Sequence, residues 1–192
     1  MYCDKLINIA QHSDSAKYNI DYEVIQKLDS FIKEKTTFRE RENLNPVKFS
    51  IEMKIKQEIS LMSFVLGTHC KLFKMRAYFN CSYCDEHLEI FDVNDKFECT
   101  CGKMITPSEH RDKLFLYFKL LETPAVCSWE ENTPTYQLDF FEKVNDGKGN
   151  FTLADLDNVA GKRYSNDLIS LRNRRDKNLK SYIKGEPGFE GT

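Results

Sequence analysis

MRAYFNCSYCDEHLEIFDVNDKFECTCGKMI, residues Met75–Ile105, is the stretch on which the organisation of this chain turns. It carries Cys81-x-x-Cys84, fourteen intervening residues, then Cys99-x-Cys101 followed by Gly102 and Lys103. Aromatic and β-branched residues alternate with charge on both sides of Asn94-Asp95, which suits a turn between LEIFDV and KFECT. The pattern predicts a small antiparallel β module over residues 71–105. Two close thiol pairs on successive turns supply four soft ligands with little rearrangement, the donor set that a structural, tetrahedral Zn2+ takes. Gly102 gives the tight turn that lets backbone N–H groups face the sulfurs. Only one residue separates Cys99 from Cys101, so His87, His110 or Cys70 stand as alternatives for one of the four ligands.

The same residues, 75–105, resemble a zinc ribbon, in which two cysteine knuckles are joined by a β-hairpin; the usual ribbon has two residues inside its second knuckle, and this chain has one. The resemblance implies a module and names no activity. Four thiolates saturate the ion and leave no water to activate, and the His-x-Glu signature of a nucleobase deaminase does not precede the first cysteine pair. The metal is therefore expected to staple a hairpin too small to hold a core of its own.

Upstream, residues 1–70 read as a helical region. In NIDYEVIQKLDSFIKEKT, Ile20, Val24, Leu28 and Phe31 recur at helical steps behind Asn19 or Asp21 as cap. VKFSIEMKIK alternates like a strand, yet Ile51, Ile55, Ile59, Met62 and Leu66 also fit a helix, with Asn45-Pro46 as start and Gly67 as stop; helix is preferred. Downstream, TPSEHRDKLFLYFKLLE begins with Thr106, Pro107 and Glu109 in cap, first-turn and capping-box positions. Residues 106–122 are accordingly expected to form a buried helix packed on the N-terminal region.

Residues 133–184 read as a three-helix unit: YQLDFFEKV, then TLADLDNVA capped by Thr152, then a last helix opened by Ser165 or Asn166; residues 185–192 form a frayed tail. Charge is segregated here. Residues 162–184 hold eight bases against two acids, whereas residues 129–158 hold seven acids against two bases. The last two helices, with Gly161 at the bend, resemble a helix-turn-helix, which implies groove or phosphate contacts from the final helix. Lys162, Arg163, Arg172, Arg174, Arg175, Lys177 and Lys180 are the candidate nucleic-acid contacts. The ribbon offers a second surface, with Lys71, Lys74, Arg76, Lys96 and Lys103 interleaved among Phe73, Tyr78, Phe79, Tyr83, Phe91 and Phe97.

The chain has 192 residues, 41% hydrophobic and 30% charged, with 28 Lys+Arg against 30 Asp+Glu, so it can bury a core and is not uniformly basic. Its longest uncharged apolar-leaning stretch, ISLMSFVLGTHC, is too short to span a bilayer, and no signal-peptide pattern opens the chain. Seven cysteines, four of them clustered while Cys3, Cys70 and Cys127 stand apart, favour a metal in a reducing, intracellular and most simply cytoplasmic setting; Cys127 and Trp129 read as packing.

Two stretches imitate functional sites. If Gly149 of DGKGNFTLADL takes the glycine place of a calcium loop, Val144 and Lys148 fall on its first and fifth positions, where oxygen ligands are needed, and calcium is rejected. IEMKI would place Glu52 and Lys54 on one strand face, as in a magnesium-dependent nuclease, but without a partner aspartate. No phosphate loop, nucleophile elbow or other small-molecule substrate site is legible.

The expected architecture is mainly α with an inserted small antiparallel β zinc ribbon, an α+β fold, ending in a helix-turn-helix-like unit. The expected function is a non-enzymatic nucleic-acid-binding adaptor or regulator. The alternatives are a protein-interaction subunit of a larger assembly, and a metal-dependent nuclease using Glu52 and Lys54.

Overall fold

The computed structural model describes residues 1–129, 149–162, 164 and 166. The chain is a mixed α+β protein in two units: residues 1–76 with 116–151, and residues 77–115 with those from 152 onward. The described elements are helices α1 (Tyr2–Ala10), α2 (Tyr22–Glu34), α3 (Pro46–Met53), α4 (Gln57–His69) and α5 (Leu153–Ala160), with strands β1 (Phe73–Asn80), β2 (His87–Ile90), β3 (Phe97–Glu98), β4 (Met104–Ile105) and β5 (Leu114–Leu120). The unit boundary falls inside β1 and inside β5.

In the first unit the expected caps form. The Asp21 side chain accepts from Val24 N–H at the start of α2, and Asn45 accepts from Val47 N–H at the start of α3, with Pro46 in the first turn. The ambiguous stretch after Pro46 is helical, but as two helices. Lys54 adopts a left-handed conformation, φ 52°, which closes α3 before α4 begins. Glu52 thus lies in a helix and Lys54 in its cap, so they share no strand face and the geometry assumed for the nuclease reading is absent.

Helix α4 is buried from Ser60 through Gly67, and its buried serine hydroxyls are satisfied. Ser60 Oγ donates to Pro46 O at 2.5 Å and Ser63 Oγ to Ile59 O at 2.7 Å. Aromatic rings run through the core: Phe31 to Phe49 at 5.2 Å, Phe49 to Phe64 at 5.7 Å, and Phe64 to Phe73 and Phe118 at 4.8 and 5.2 Å.

The buried helix expected over 106–122 is not formed. Two short 3-10 turns, Pro107–Glu109 and Arg111–Lys113, lead into strand β5, and Thr106 makes no side-chain cap. Leu114, Leu116, Phe118 and Leu120 are buried while Phe115, Tyr117 and Lys119 are half-buried. A strand covered on both faces is apolar at nearly every position, so its sequence imitates an all-round buried helix. The pairing that decides the matter is remote: Leu44 and Phe118 exchange both backbone hydrogen bonds, at 2.7 and 2.9 Å.

Cys3 and Cys127, read from the sequence as standing apart, form a disulfide with Cα atoms 5.5 Å apart. It joins the first turn of α1 to the segment after β5, where Lys5 also pairs with Glu122. The expectation that Cys127 serves only as packing is thereby corrected; its partner is 124 residues away, beyond the reach of any local pattern.

In the second unit, β2 pairs antiparallel with the end of β1, Ala77 opposite Ile90 and Asn80 opposite His87. Strands β3 and β4 pair with each other, Phe97 opposite Ile105 and Glu98 opposite Met104. The sheets run β2-β1-β5 and β3-β4, so the hairpin expected across Asn94-Asp95 does not exist: β2 and β3 do not pair. Instead Val93 is buried and its carbonyl accepts from Ser108 N–H at 2.8 Å, which separates the two strands.

Phe79 packs edge-on against Phe97 at 5.9 Å and lies tilted against His110 at 6.0 Å. Thr152 caps α5 in a full capping box with Asp155. The buried Arg111 grips Asp157 with two hydrogen bonds, 2.5 and 2.7 Å, and donates to Asn166 Oδ1 at 3.0 Å.

The helix expected over YQLDFFEKV and most of the last helix, with the tail, lie outside the described residues, as do Arg163, Arg172, Arg174, Arg175, Lys177 and Lys180. Among the described residues no helix is long and apolar enough to cross a membrane.

Candidate metal centre

The two cysteine pairs sit on the loops of two different hairpins. Cys81 follows β1 and Cys84 lies in the β1-β2 turn; Cys99 and Cys101 occupy the β3-β4 turn. Both turns close in a similar way. Cys81 N–H donates to Glu86 O at 3.0 Å and Asp85 N–H to Cys81 O at 2.9 Å, while Cys99 N–H donates to Lys103 O at 2.9 Å and Gly102 N–H to Cys99 O at 2.8 Å. Each turn needs one left-handed residue, Asp85 at φ 54° and Gly102 at φ 78°. The shorter second spacing goes with a tighter turn: Gly102 N–H returns to a carbonyl three residues back, where Asp85 N–H reaches four residues back.

The four sulfurs lie within 4.8 Å of one another, with Cys81 Sγ to Cys101 Sγ at 3.8 Å and Cys84 Sγ to Cys99 Sγ at 3.4 Å. A tetrahedron with metal–sulfur bonds of about 2.3 Å has edges of about 3.8 Å, so this cluster can hold a metal ion with little movement. Each turn contributes one buried sulfur, Cys81 and Cys99, and one exposed, Cys84 and Cys101. His87, His110 and Cys70 are not members of the cluster. His87 pairs with Asn80 in the sheet, His110 packs on Phe79, and Cys70 caps α4.

Backbone dipoles are aimed at the sulfurs. The N–H of Tyr83, helped by that of Cys84, favours the Cys81 thiolate against burial and draws this thiol down to about 7. The N–H groups of Glu86, Cys101 and Lys103 act likewise on Cys84, Cys99 and Cys101, but burial and the neighbouring sulfurs outweigh them and these thiols sit above their ordinary value. Four sulfurs so close cannot all ionise without a cation among them. Across the turns, the Thr100 hydroxyl donates to Glu86, which holds that carboxyl below its ordinary range, and Cys99 Sγ lies 3.5 Å from the same carboxylate.

The second surface expected on the ribbon is dispersed. Phe73 and Phe79 are core, Phe97 is half-buried against Phe79, and Lys71, Lys74 and Arg76 belong to the first unit, where Arg76 donates to Asn43 at 2.9 Å. Tyr83, Phe91 and Met104 remain exposed. Residues 77–115 carry eight acidic side chains against four Lys and Arg, so this module is not a basic platform.

Two contacts at its rim were not legible in the sequence. Lys103 Nζ lies 5.1 Å from the Tyr83 ring centroid, and Lys113 Nζ donates to Ser82 Oγ at 2.7 Å. The 31 residues separating Lys113 from Ser82 leave no local signal for the second of these. Of the candidate nucleic-acid contacts only Lys162 is described, exposed just after α5. Compared with protein-family models, curated proteins and solved structures, the chain matches none.

Proposed function

We propose that the chain is a non-enzymatic adaptor or regulator that binds nucleic acid, stapled by one structural Zn2+ on Cys81, Cys84, Cys99 and Cys101. The observation that carries the metal part of the reading is the sulfur-only cluster, whose edges suit a tetrahedral ion. A filled tetrathiolate zinc supplies folding energy and no open position for substrate. The two cysteine turns then act as the knuckles of a zinc ribbon.

Nucleic-acid contact falls to the segment Lys162–Lys184, with its eight bases against two acids. Thr152, the capped helix α5 and Gly161 at φ 92° supply the first part of a helix-turn-helix, and the basic residues follow it. A reducing, cytoplasmic setting suits the metal-thiolate chemistry, while the Cys3–Cys127 pairing argues against it. The second reading, a protein-interaction subunit of a larger assembly, is favoured by one specific feature: the acidic 77–115 module exposes Tyr83, Phe91 and Met104.

Native mass spectrometry of protein purified without chelator tests both parts. The expected result is one zinc per chain with retained nucleic acid; folded protein without metal would overturn the staple. In a titration with labelled oligonucleotide, affinity is expected to fall steeply with salt and to be lost when Arg172, Arg174 and Arg175 are changed together to Gln. Undiminished binding in that variant refutes the nucleic-acid assignment, and a stoichiometric protein partner in its place supports the second reading.

A further inference from the structure

An exposed aromatic ring is common on a protein surface, but Tyr83 sits between two cysteines of the cluster with a lysine from the opposite turn beside its ring. It is 72% exposed at the centre of the Cys81–Cys84 turn, between two cluster cysteines and with its own N–H facing the Cys81 sulfur. Two ammonium groups reach this turn from separate segments. Lys103, from the opposite cysteine turn, places Nζ 5.1 Å from the ring centroid, and Lys113, from the turn before β5, is tied to the adjacent Ser82 hydroxyl at 2.7 Å. Neither interaction uses all the donors of an ammonium, which has three.

We propose that Tyr83, Lys103 and Lys113 form a stacking subsite for one unpaired base and its phosphate in a single-stranded nucleic acid. The proposal rests on the nucleic-acid reading above and adds to it the kind of strand and the site. A base stacks on a tyrosine ring through its π face whatever its identity, and the flanking cations meet the backbone. Lys103 already makes a cation–π contact with the ring, which fixes the ring's orientation before a base arrives.

The size of the subsite follows from charge. Residues 77–115 carry eight acids against four Lys and Arg, and one of those four, Arg111, is committed to Asp157. Asp85 stands two residues from Tyr83. A long phosphate track across this module would meet carboxylates, so the contact is confined to one nucleotide beside the two lysines. The remaining affinity comes from the basic segment Lys162–Lys184.

The test uses the full zinc-loaded chain and fluorescence anisotropy with labelled oligouridylate, oligothymidylate and a mixed-sequence duplex, zinc content being checked in each variant. Tyr83→Leu is expected to weaken single-strand binding about tenfold and leave the duplex unchanged, as the loss of one stacked base does. Tyr83→Phe keeps the affinity. Lys103→Gln lowers the single-strand salt slope by about 0.7. If Tyr83→Leu binds single strands like the parent, or weakens both substrates equally, the subsite is refuted. Should the Arg172, Arg174 and Arg175 variant lose binding while Tyr83→Leu does not, the nucleic-acid reading survives and only this inference falls. If no oligonucleotide binds the parent, both fall.

Discussion

Replacing Gly67 by alanine probes the packing of α4 against β1. Gly67 is buried in α4, and a Cβ built there meets Phe73 Cδ2, lies 2.6 Å from Phe73 Cε2 and stands 3.3 Å from Ile9 Cδ1. Comfortable carbon contacts begin near 3.5 Å, so the ring must retreat by about 1 Å. It has little room: Phe73 is 1% exposed and stacks on Phe64 at 4.8 Å. Overpacking costs ~1–3 kcal/mol, and a buried ring with so little room puts this case in the upper part of that range, about 2–3 kcal/mol. Alanine returns ~1 kcal/mol of helix propensity. A net loss of about 1–2 kcal/mol lowers Tm by about 2–8 °C for a chain of this size. Thermal unfolding followed by far-UV circular dichroism measures it, and Phe73→Leu in the same chain is expected to recover part of the loss by clearing the clash. A Gly67→Ala variant as stable as the parent, or more so, refutes the close approach of α4 and β1.

Three further outcomes are expected. Asp157→Ala leaves the Arg111 guanidinium buried without its carboxylate, and chemical denaturation should show a loss of ~3–5 kcal/mol, which the double change with Arg111→Met largely restores. Cys3→Ser opens a loop closed by residues 124 apart, worth about 5 kcal/mol in the chain-entropy account; non-reducing peptide mapping of the parent should recover Cys3 linked to Cys127, and alkylation of both would contradict the pairing. In metal-free protein the Cys81 thiol, drawn down to about 7, is ionised above that pH and protonated below it, whereas the other three thiols, held above their ordinary value, keep their protons at pH 8. Zinc uptake monitored with a pH indicator should therefore release about three protons near pH 8 and close to four near pH 6, with affinity falling as pH drops; the same release at both values would contradict the assignment.

Local rules carried well where the deciding contacts were local. Asp21 and Asn45 cap α2 and α3 because a short polar side chain reaches N–H groups two or three residues ahead, whatever surrounds them. Thr152 and Asp155 form their capping box for the same reason. The cysteine cluster was legible because each pair spans a single turn, so its spacing alone brings the sulfurs together in twos. Residues 106–122 misled because Thr106-Pro107 carries a helix start while LFLYFKL is apolar on both faces, and neither feature reveals the strand that pairs with it. The Asn94-Asp95 turn misled in the other direction: turn chemistry is present, with Asn94 N–H bonded to Asp92 Oδ1 at 2.9 Å, but the flanking strands take other partners.

From composition and spacing alone the chain declares a folded core, a four-cysteine donor set, three helix starts and a basic stretch near its end. These depend on residues within a turn or two of one another, and short-range sterics and hydrogen bonds settle them. Tertiary structure decided which strands pair, that the two cysteine turns face each other, that Cys3 meets Cys127, and that Lys103 reaches Tyr83 while Lys113 reaches Ser82. Those outcomes rest on burial and pairing between segments tens of residues apart, where many alternatives are locally equivalent and only simultaneous packing selects one.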